Sequence, residues 1–284
     1  MRHSYILPAC IAGAFLIAGC SEDKDEETVE RAFQDVNVID ESNLSDIMLT
    51  VADPDEAVSY FTRTLKDNPD RLDLRRNLAA SYVRAKRYPE AATAWKKAVD
   101  HPGSGPSDKV QYADALIRSG DWAKAEKTLD QVPPTFETFD RYRLEAMIAD
   151  SNKEWEKADS FYETAVGLTT KPAGVFNNWG YSKLSRGDYK GAERLFGEAV
   201  RQDNSLFTAK NNLVLARSAQ RKYTLPVVPM TQEEQAQLLH TMALSAIKQG
   251  DIDLGKGMLK DAIDTHPQHF DAAVRALDAL NNSG

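Results

Sequence analysis

Residues 120–129 read GDWAKAEKTL, and residues 187–196 read GDYKGAERLF. KRYPEAATAW at 86–95 and KEWEKADSFY at 153–162 follow the same plan. Each stretch carries an aromatic (Tyr88, Trp122, Trp155, Tyr189), then an alanine three residues on (Ala91, Ala125, Ala158, Ala192). A large residue follows four later: Trp95, Leu129, Tyr162, Phe196. Spacings of three and four put all three side chains on one face of a helix. The aromatics are separated by 34, 33 and 34 residues, and a fixed period of that length marks one supersecondary unit stacked repeatedly.

Outward from these phrases, the register reaches back to Ala57, Phe61 and Pro69, and forward to Lys222-Tyr223 and GDIDLGKGMLKDAIDTHP. Small residues recur upstream of each phrase, at Ala79, Ala113, Ala146 and Gly180, where they let two helices of a hairpin approach closely. Large ones (Tyr82, Trp95, Leu129, Tyr162, Phe196) fill the gaps between hairpins. Gly120 and Gly187 suit the tight turn inside the hairpin, since glycine adopts positive φ at little cost. No unit buries its apolar face alone, so stacking makes the core. The units expected are 38–71, 72–105, 106–138, 139–172, 173–206 and 236–269, within a repeat array over 38–223.

At 224–235 the plan breaks. Pro226 and Pro229 exclude a regular helix where the second helix of a hairpin is due, and Thr231 with Glu234 reads as a capping box opening the next helix. Residues 236–281 then supply a last repeat and FDAAVRALDAL, a terminal helix covering the final apolar face.

These positions resemble the tetratricopeptide repeat, most fully in the fifth unit: Trp179-Gly180, Gly187-Asp188-Tyr189, Ala192, Phe196 and Ala199. The resemblance covers about 38–281. It implies an all-α fold, a tetratricopeptide-repeat solenoid of helical hairpins wound as a right-handed superhelix.

The N-terminus reads MRHSYILPACIAGAFLIAGC. Arg2 and the terminal amine precede an apolar run from Ile6 to Gly19, shorter than the ~20 residues that span a bilayer but suited to a signal peptide. A plain signal peptide or a short anchor with an incidental cysteine would share those features. Ile17-Ala18-Gly19-Cys20 resembles the bacterial lipoprotein signal, which implies cleavage of residues 1–19 and lipidation of Cys20. Ser21 stands where the best-known sorting rule places an aspartate for inner-membrane retention, which implies the outer membrane, periplasmic face. Residues 20–37, rich in Asp and Glu, read as a lipidated acidic tether; ~18 flexible residues reach roughly 20–25 Å.

Across 284 residues, 42% are hydrophobic and 27% charged, a globular composition; the net charge of −8 disfavours a general nucleic-acid binder. Cys10 and Cys20 are the only cysteines, so residues 21–284 hold neither a disulfide framework nor a cysteine metal site. No phosphate-binding glycine loop, nucleophile elbow or HExxH occurs. His266 and His269 form HPQH without a third ligand, which reads as a helix corner rather than a metal site. Trp95, Trp122, Trp155 and Trp179 fall on repeat-core positions. No catalytic residue, metal, cofactor or small-molecule substrate is expected, and the protein is not expected to be an enzyme.

Binding of another protein is the better expectation. In tetratricopeptide arrays the concave groove is lined by the first helix of each unit, which here implies Arg76, Arg84, Asp114, Arg118, Arg143, Asn177, Tyr181 and Asn211. A row of arginines beside amides suits an extended acidic or C-terminal peptide; the same residues also suit ordinary solvated helix faces. Asn43, Asn77, Asn178 and Asn212 share one unit position and read as inter-helix contacts. The carboxylate clamp of chaperone-binding relatives is absent, since Arg76 matches but Ala80, Ser107 and Gln111 do not.

The whole layout resembles the TadD family of tight-adherence (Flp pilus) assembly proteins. The features shared are a short acidic tether, about five units, the break LPVVPMTQEE and the tail LLHTMALSAIKQGD…AIDTHPQHFDAAVRAL. That resemblance implies a periplasmic scaffold for pilus assembly, pilotin-like toward the secretin. A repeat lipoprotein serving cell-wall synthesis or outer-membrane protein insertion would share the lipid and the repeats.

Overall fold

The computed structural model describes residues 44–282. The signal segment 1–19, Cys20, the tether 20–37 and the first residues of the opening unit lie outside the described residues. A helix through 44–50 (α1) is followed by α2 (Pro54–Asp67), α3 (Leu72–Arg84), α4 (Tyr88–Val99), α5 (Pro106–Arg118) and α6 (Trp122–Leu129). Then come α7 (Phe139–Ser151), α8 (Trp155–Gly167), α9 (Ala173–Ser185), α10 (Tyr189–Gln202) and α11 (Phe207–Ser218). After the break stand α12 (Gln232–Lys248), α13 (Ile252–Thr265) and α14 (Asp271–Asn282). Each helix packs on its neighbours in chain order, as a solenoid of stacked hairpins does.

The phrase Gly-Asp-aromatic has a local cause. Gly120 and Gly187 take φ of 88° and 82°, ending the first helix of a hairpin; Asp121 and Asp188 then cap the second, accepting from the N–H of Lys124 and Gly191. The same left-handed position recurs at Gly250 (φ 87°) and, without glycine, at Lys86 (58°), Lys153 (61°) and Arg221 (58°). At all six the next residue's N–H bonds back across the turn, as from Asp121 to the Leu116 carbonyl at 2.9 Å. The small residues sit where they are needed. Ala79, Ala113 and Ala146 are fully buried, and a Cβ on Gly180 would lie 2.7 Å from the Phe196 ring.

The break is pinned at several points. The Arg221 turn forms as if a second helix followed, but the chain runs on extended and fills that helix's place with side chains. Tyr223, Leu225 and Met230 pack on the core of α11–α13, and Val228 packs on that of α10–α11. Lys210, buried in α11, donates to the Pro229 carbonyl (2.7 Å) and to Glu234 (2.9 Å). Thr231 and Glu234 form the capping box. The helix it opens starts at Gln232, four residues ahead of the boundary expected at 236, so the last repeat begins inside the stretch assigned to the break.

Among the described residues no helix is long and apolar enough to cross a membrane. None of their His, Cys, Asp and Glu residues gather in threes around a possible metal position. His266 stacks on Phe270 with ring centroids 4.9 Å apart.

Candidate protein-binding groove

First helices α7, α9 and α11 line a groove of about 590 Å³. Asn177, Asn178 and Tyr181 of α9 form its centre, Met147, Asp150 and Ser151 of α7 one side, and Thr208 and Asn212 of α11 the other. Trp122 and Trp155, the first residues of α6 and α8, close the rim. Tyr181 is 61% exposed, and Trp122 37%. The Asn212 amide donates to the Asn177 oxygen at 3.0 Å, which leaves both N–H groups of Asn177, the second N–H of Asn212 and the Asn212 oxygen for a backbone lying across them.

One carboxylate, Asp150, lines this groove. It accepts from the Tyr162 hydroxyl (2.9 Å) and the Ser182 hydroxyl (2.6 Å). Burial raises its pKa above the ordinary carboxylate range, more than those two hydroxyls lower it. Burial likewise pushes the Tyr162 phenol up, helped by the charge of Asp150. Behind the groove Asp159 accepts from Trp179 (2.6 Å), Lys183 (2.8 Å) and Arg186 (2.5 Å). Burial raises Asp159 as well, but these donors outweigh it and its pKa lies low. The lining is therefore aromatic and amide-rich, with little net charge.

Of the residues expected in the groove, Asn177 and Tyr181 line it. Arg76, Arg84 and Arg143 are engaged between repeats, and Arg118 pairs within its own helix. Arg76 forks onto Asp108 of the next unit (2.6 and 2.7 Å). Arg84 caps α1 through the carbonyls of Met48 and Ala52, both at 2.8 Å. Asp114 accepts from Arg118 of its own helix (2.5 Å) and from Arg143 of the next unit (3.0 Å). Asn211 accepts from Thr241 at 2.8 Å. Guanidinium forks bonded this way hold units in register rather than face a ligand.

Trp122, Trp155, Asn178 and Asn212 line the groove although their positions read as core or inter-helix contact. Trp122 and Trp155 open their helices, so the ring lies at the hairpin edge instead of between hairpins. The signal that could have found them is this N-terminal placement, common to Tyr88, Trp122, Trp155 and Tyr189.

A family model described as tetratricopeptide repeat matches residues 48–108. Stress-induced-phosphoprotein 1 of Caenorhabditis elegans is 24% identical over 165 residues, which are 58% of this chain and 52% of that protein. The chain thus spans about half the length of that relative. Among solved structures, the anaphase-promoting-complex hetero-tetramer Cut9–Hcn1 superposes with a TM-score of 0.58 at 13% identity, over 80% of this chain and 46% of that one. A tetratricopeptide repeat protein from Parabacteroides merdae gives 0.54 at 13% identity, over 90% and 98%. Human IFIT1 gives 0.54 at 18% identity, over 81% and 59%. At these identities the likeness is one of fold, and the fold is a tetratricopeptide-repeat solenoid.

Proposed function

We propose that this protein is a non-enzymatic lipoprotein scaffold that holds an extended segment of a protein partner in the groove of α7, α9 and α11. The observation that carries the proposal is the lining: exposed Tyr181 and Trp122 beside the amides of Asn177, Asn178 and Asn212, whose hydrogen-bonding groups are only partly used. Amides there bond a peptide backbone and the aromatics take apolar side chains, so sequence tolerance comes with modest affinity. Because the arginines are occupied, the segment is expected to be apolar and nearly uncharged. Tyr181→Ala and Asn177→Ala should each weaken partner capture about tenfold, and unchanged capture in both would refute the groove.

The finer reading joins this groove to Cys20. Lipid on that cysteine would anchor the solenoid at the periplasmic face of the outer membrane, each buried methylene contributing about 0.8 kcal/mol. The layout that resembles the TadD family supports a role in assembling tight-adherence pili, pilotin-like toward their secretin. Deletion of the gene should remove surface pili and lower secretin multimers, and normal levels of both would overturn this role. Palmitate labelling lost on Cys20→Ala tests the anchor separately.

A further inference from the structure

Among the described residues that line the groove of α7, α9 and α11, Asp150 is the one charged side chain; no lysine or arginine lines it. The hydroxyls of Tyr162 and Ser182 each take a lone pair on a different oxygen of Asp150 and leave the others. Both donors are neutral, and no cation pairs with Asp150 among the described residues. Carboxylates elsewhere in the joints are matched: Asp108 by Arg76, Asp114 by Arg118 and Arg143, Asp159 by Lys183 and Arg186, Glu234 by Lys210. Two outside charges act on Asp150, Arg186 and Asp159; they oppose each other and are themselves bonded at 2.5 Å. Burial has already taken part of the water from Asp150, which is why its pKa is raised. A cation arriving there therefore meets a carboxylate whose desolvation is partly complete.

The rings beside it favour the same kind of ligand. Elsewhere at the hairpin edges the chain lays its own cations over aromatic faces: Arg118 over Tyr88 at 5.9 Å from the ring centroid, and Arg186 over Trp155 at 5.6 Å. Each comes from the end of the next unit's first helix, Arg118 closing α5 and Arg186 following α9. Beside Trp122 the corresponding end of α7 is Ser151-Asn152, which is uncharged. No cation lies over Trp122 or Tyr181 among the described residues, and both rings are exposed on the groove. Tyr181 adjoins Ser182, whose hydroxyl is on Asp150. Exposed rings and an unpaired carboxylate thus border one hollow.

We infer that the partner segment held in this groove carries one basic side chain, a lysine or arginine set among apolar residues, whose charged head meets Asp150. The inference rests on the groove proposed above, names the chemistry of its occupant, and stands apart from the pilus role. The head would take the remaining lone pairs of Asp150 in a charge-assisted hydrogen bond. The methylene stem would lie along Trp122 and Tyr181, as long cationic side chains do on aromatic faces. An acidic residue at the same place would face Asp150 and be rejected, so the carboxylate supplies selectivity that amides and rings alone do not. A single charge keeps the segment nearly uncharged, as the rest of the lining requires.

The test is calorimetric titration of the purified full chain with three peptides, acetyl-Gly-Ser-Gly-Leu-Val-Xaa-Val-Leu-Gly-Ser-Gly-amide, in which Xaa is lysine, norleucine or glutamate. The blocked ends leave the central residue as the one place for a charge. The lysine peptide should bind at least about tenfold more tightly than the norleucine peptide, and the glutamate peptide more weakly than both. Added salt should shrink the lysine advantage. Asp150→Asn, which removes the charge and keeps an acceptor, should bring lysine down to norleucine while norleucine binding stays unchanged, a control for the fold of the groove. Asp264→Asn, at an exposed carboxylate of α13, should leave the advantage intact, which separates Asp150 from the general pull of a chain of net charge −8. Equal binding of lysine and norleucine, or an advantage that survives Asp150→Asn, would overturn the inference; the groove itself still stands if Tyr181→Ala weakens norleucine binding. Failure of all three peptides to bind at millimolar protein would overturn the groove and this inference together.

Discussion

Replacing Arg76 with methionine should uncouple the first two repeats from the rest. Asp108 is 2% exposed and accepts three bonds: Arg76 Nε at 2.6 Å, Arg76 Nη2 at 2.7 Å and the Gly105 N–H at 2.8 Å. Arg76→Met removes two of these and leaves a buried carboxylate holding one. Hydrogen bonds to charged groups contribute about 1.5–3 kcal/mol each. The Arg76 side chain is 41% exposed, so water has already screened part of that. Roughly 2–3 kcal/mol should be lost, all of it at the joint between α3 and α5. At about 1.4 kcal/mol per tenfold, the open state gains some 30- to 150-fold. Because each repeat contacts only its neighbours, hydrogen exchange should quicken in α2–α4 while α7–α14 keep wild-type protection. Adding Asp108→Asn should restore part of the loss, since asparagine still accepts from Gly105 without a buried charge. Exchange that quickens evenly along the chain, or not at all, would refute the reasoning.

Acid should loosen the same joints: burial raises Asp108 and Asp159, but Arg76 for the first and Lys183, Trp179 and Arg186 for the second outweigh it, so both folded pKa values lie below the ordinary range. A depressed carboxylate stabilises fully above its unfolded pKa of about 3.9 and loses that as pH falls through the lower folded value. Urea midpoints should therefore drop below about pH 4, more steeply than in Asp159→Asn. Asp150 has the opposite sign: its raised pKa means the ionised form opposes folding at neutral pH, and Asp150→Asn should raise the urea midpoint at pH 7. Gly187→Ala, at φ 82°, should cost about 1 kcal/mol, and Lys153→Gly, at φ 61°, should lose nothing or gain a few tenths, both read by thermal denaturation. Gly180→Ala places a methyl 2.7 Å from Phe196; overpacking of about 1–3 kcal/mol should outweigh its helix-propensity gain of about 1 kcal/mol, and Phe196→Leu in the same chain should recover stability.

The hairpins were legible because their determinants are local and recur. Gly120-Asp121-Trp122 contains the left-handed turn residue, the cap and the first helical residue in order, and the period repeats that signal along the chain. Lys86, Lys153 and Arg221 hold the same left-handed turn with no glycine to announce it, so only the period could have located them. The start of α12 follows from Thr231 and Glu234, yet the last repeat was expected from 236, because a 34-residue period does not carry across a helix-free segment of different length. The groove was only partly legible for a different reason. A one-dimensional register says which residues lie on the first helix, and it is silent on what stands 29 to 36 residues away across the joint.

That silence matters most for arginine. Asp108 sits 32 residues from Arg76, and Asp114 sits 29 from Arg143, so each pair joins adjacent units face to face. At these two joints a carboxylate of one unit faces a first-helix arginine of its neighbour, and removing either partner would leave the other charge unpaired. The bidentate fork of arginine fills that place better than lysine. Arg76 and Arg143 are drawn into the joints in this way, and the groove is left lined by Tyr181, Trp122, Trp155 and amides whose hydrogen-bonding capacity the joint uses only in part. Arg75 follows the same pattern through a backbone carbonyl, donating to Pro69 of the preceding unit. Charge reversal separates joint cations from surface ones. Arg143→Glu faces Asp114 and should destabilise the array, whereas Lys97→Glu, on the exposed surface of α4, should leave the melting temperature within about 1 °C, in keeping with the small effects of surface substitutions. Equal melting temperatures for the two variants would remove the distinction between joint and surface cations drawn from these distances.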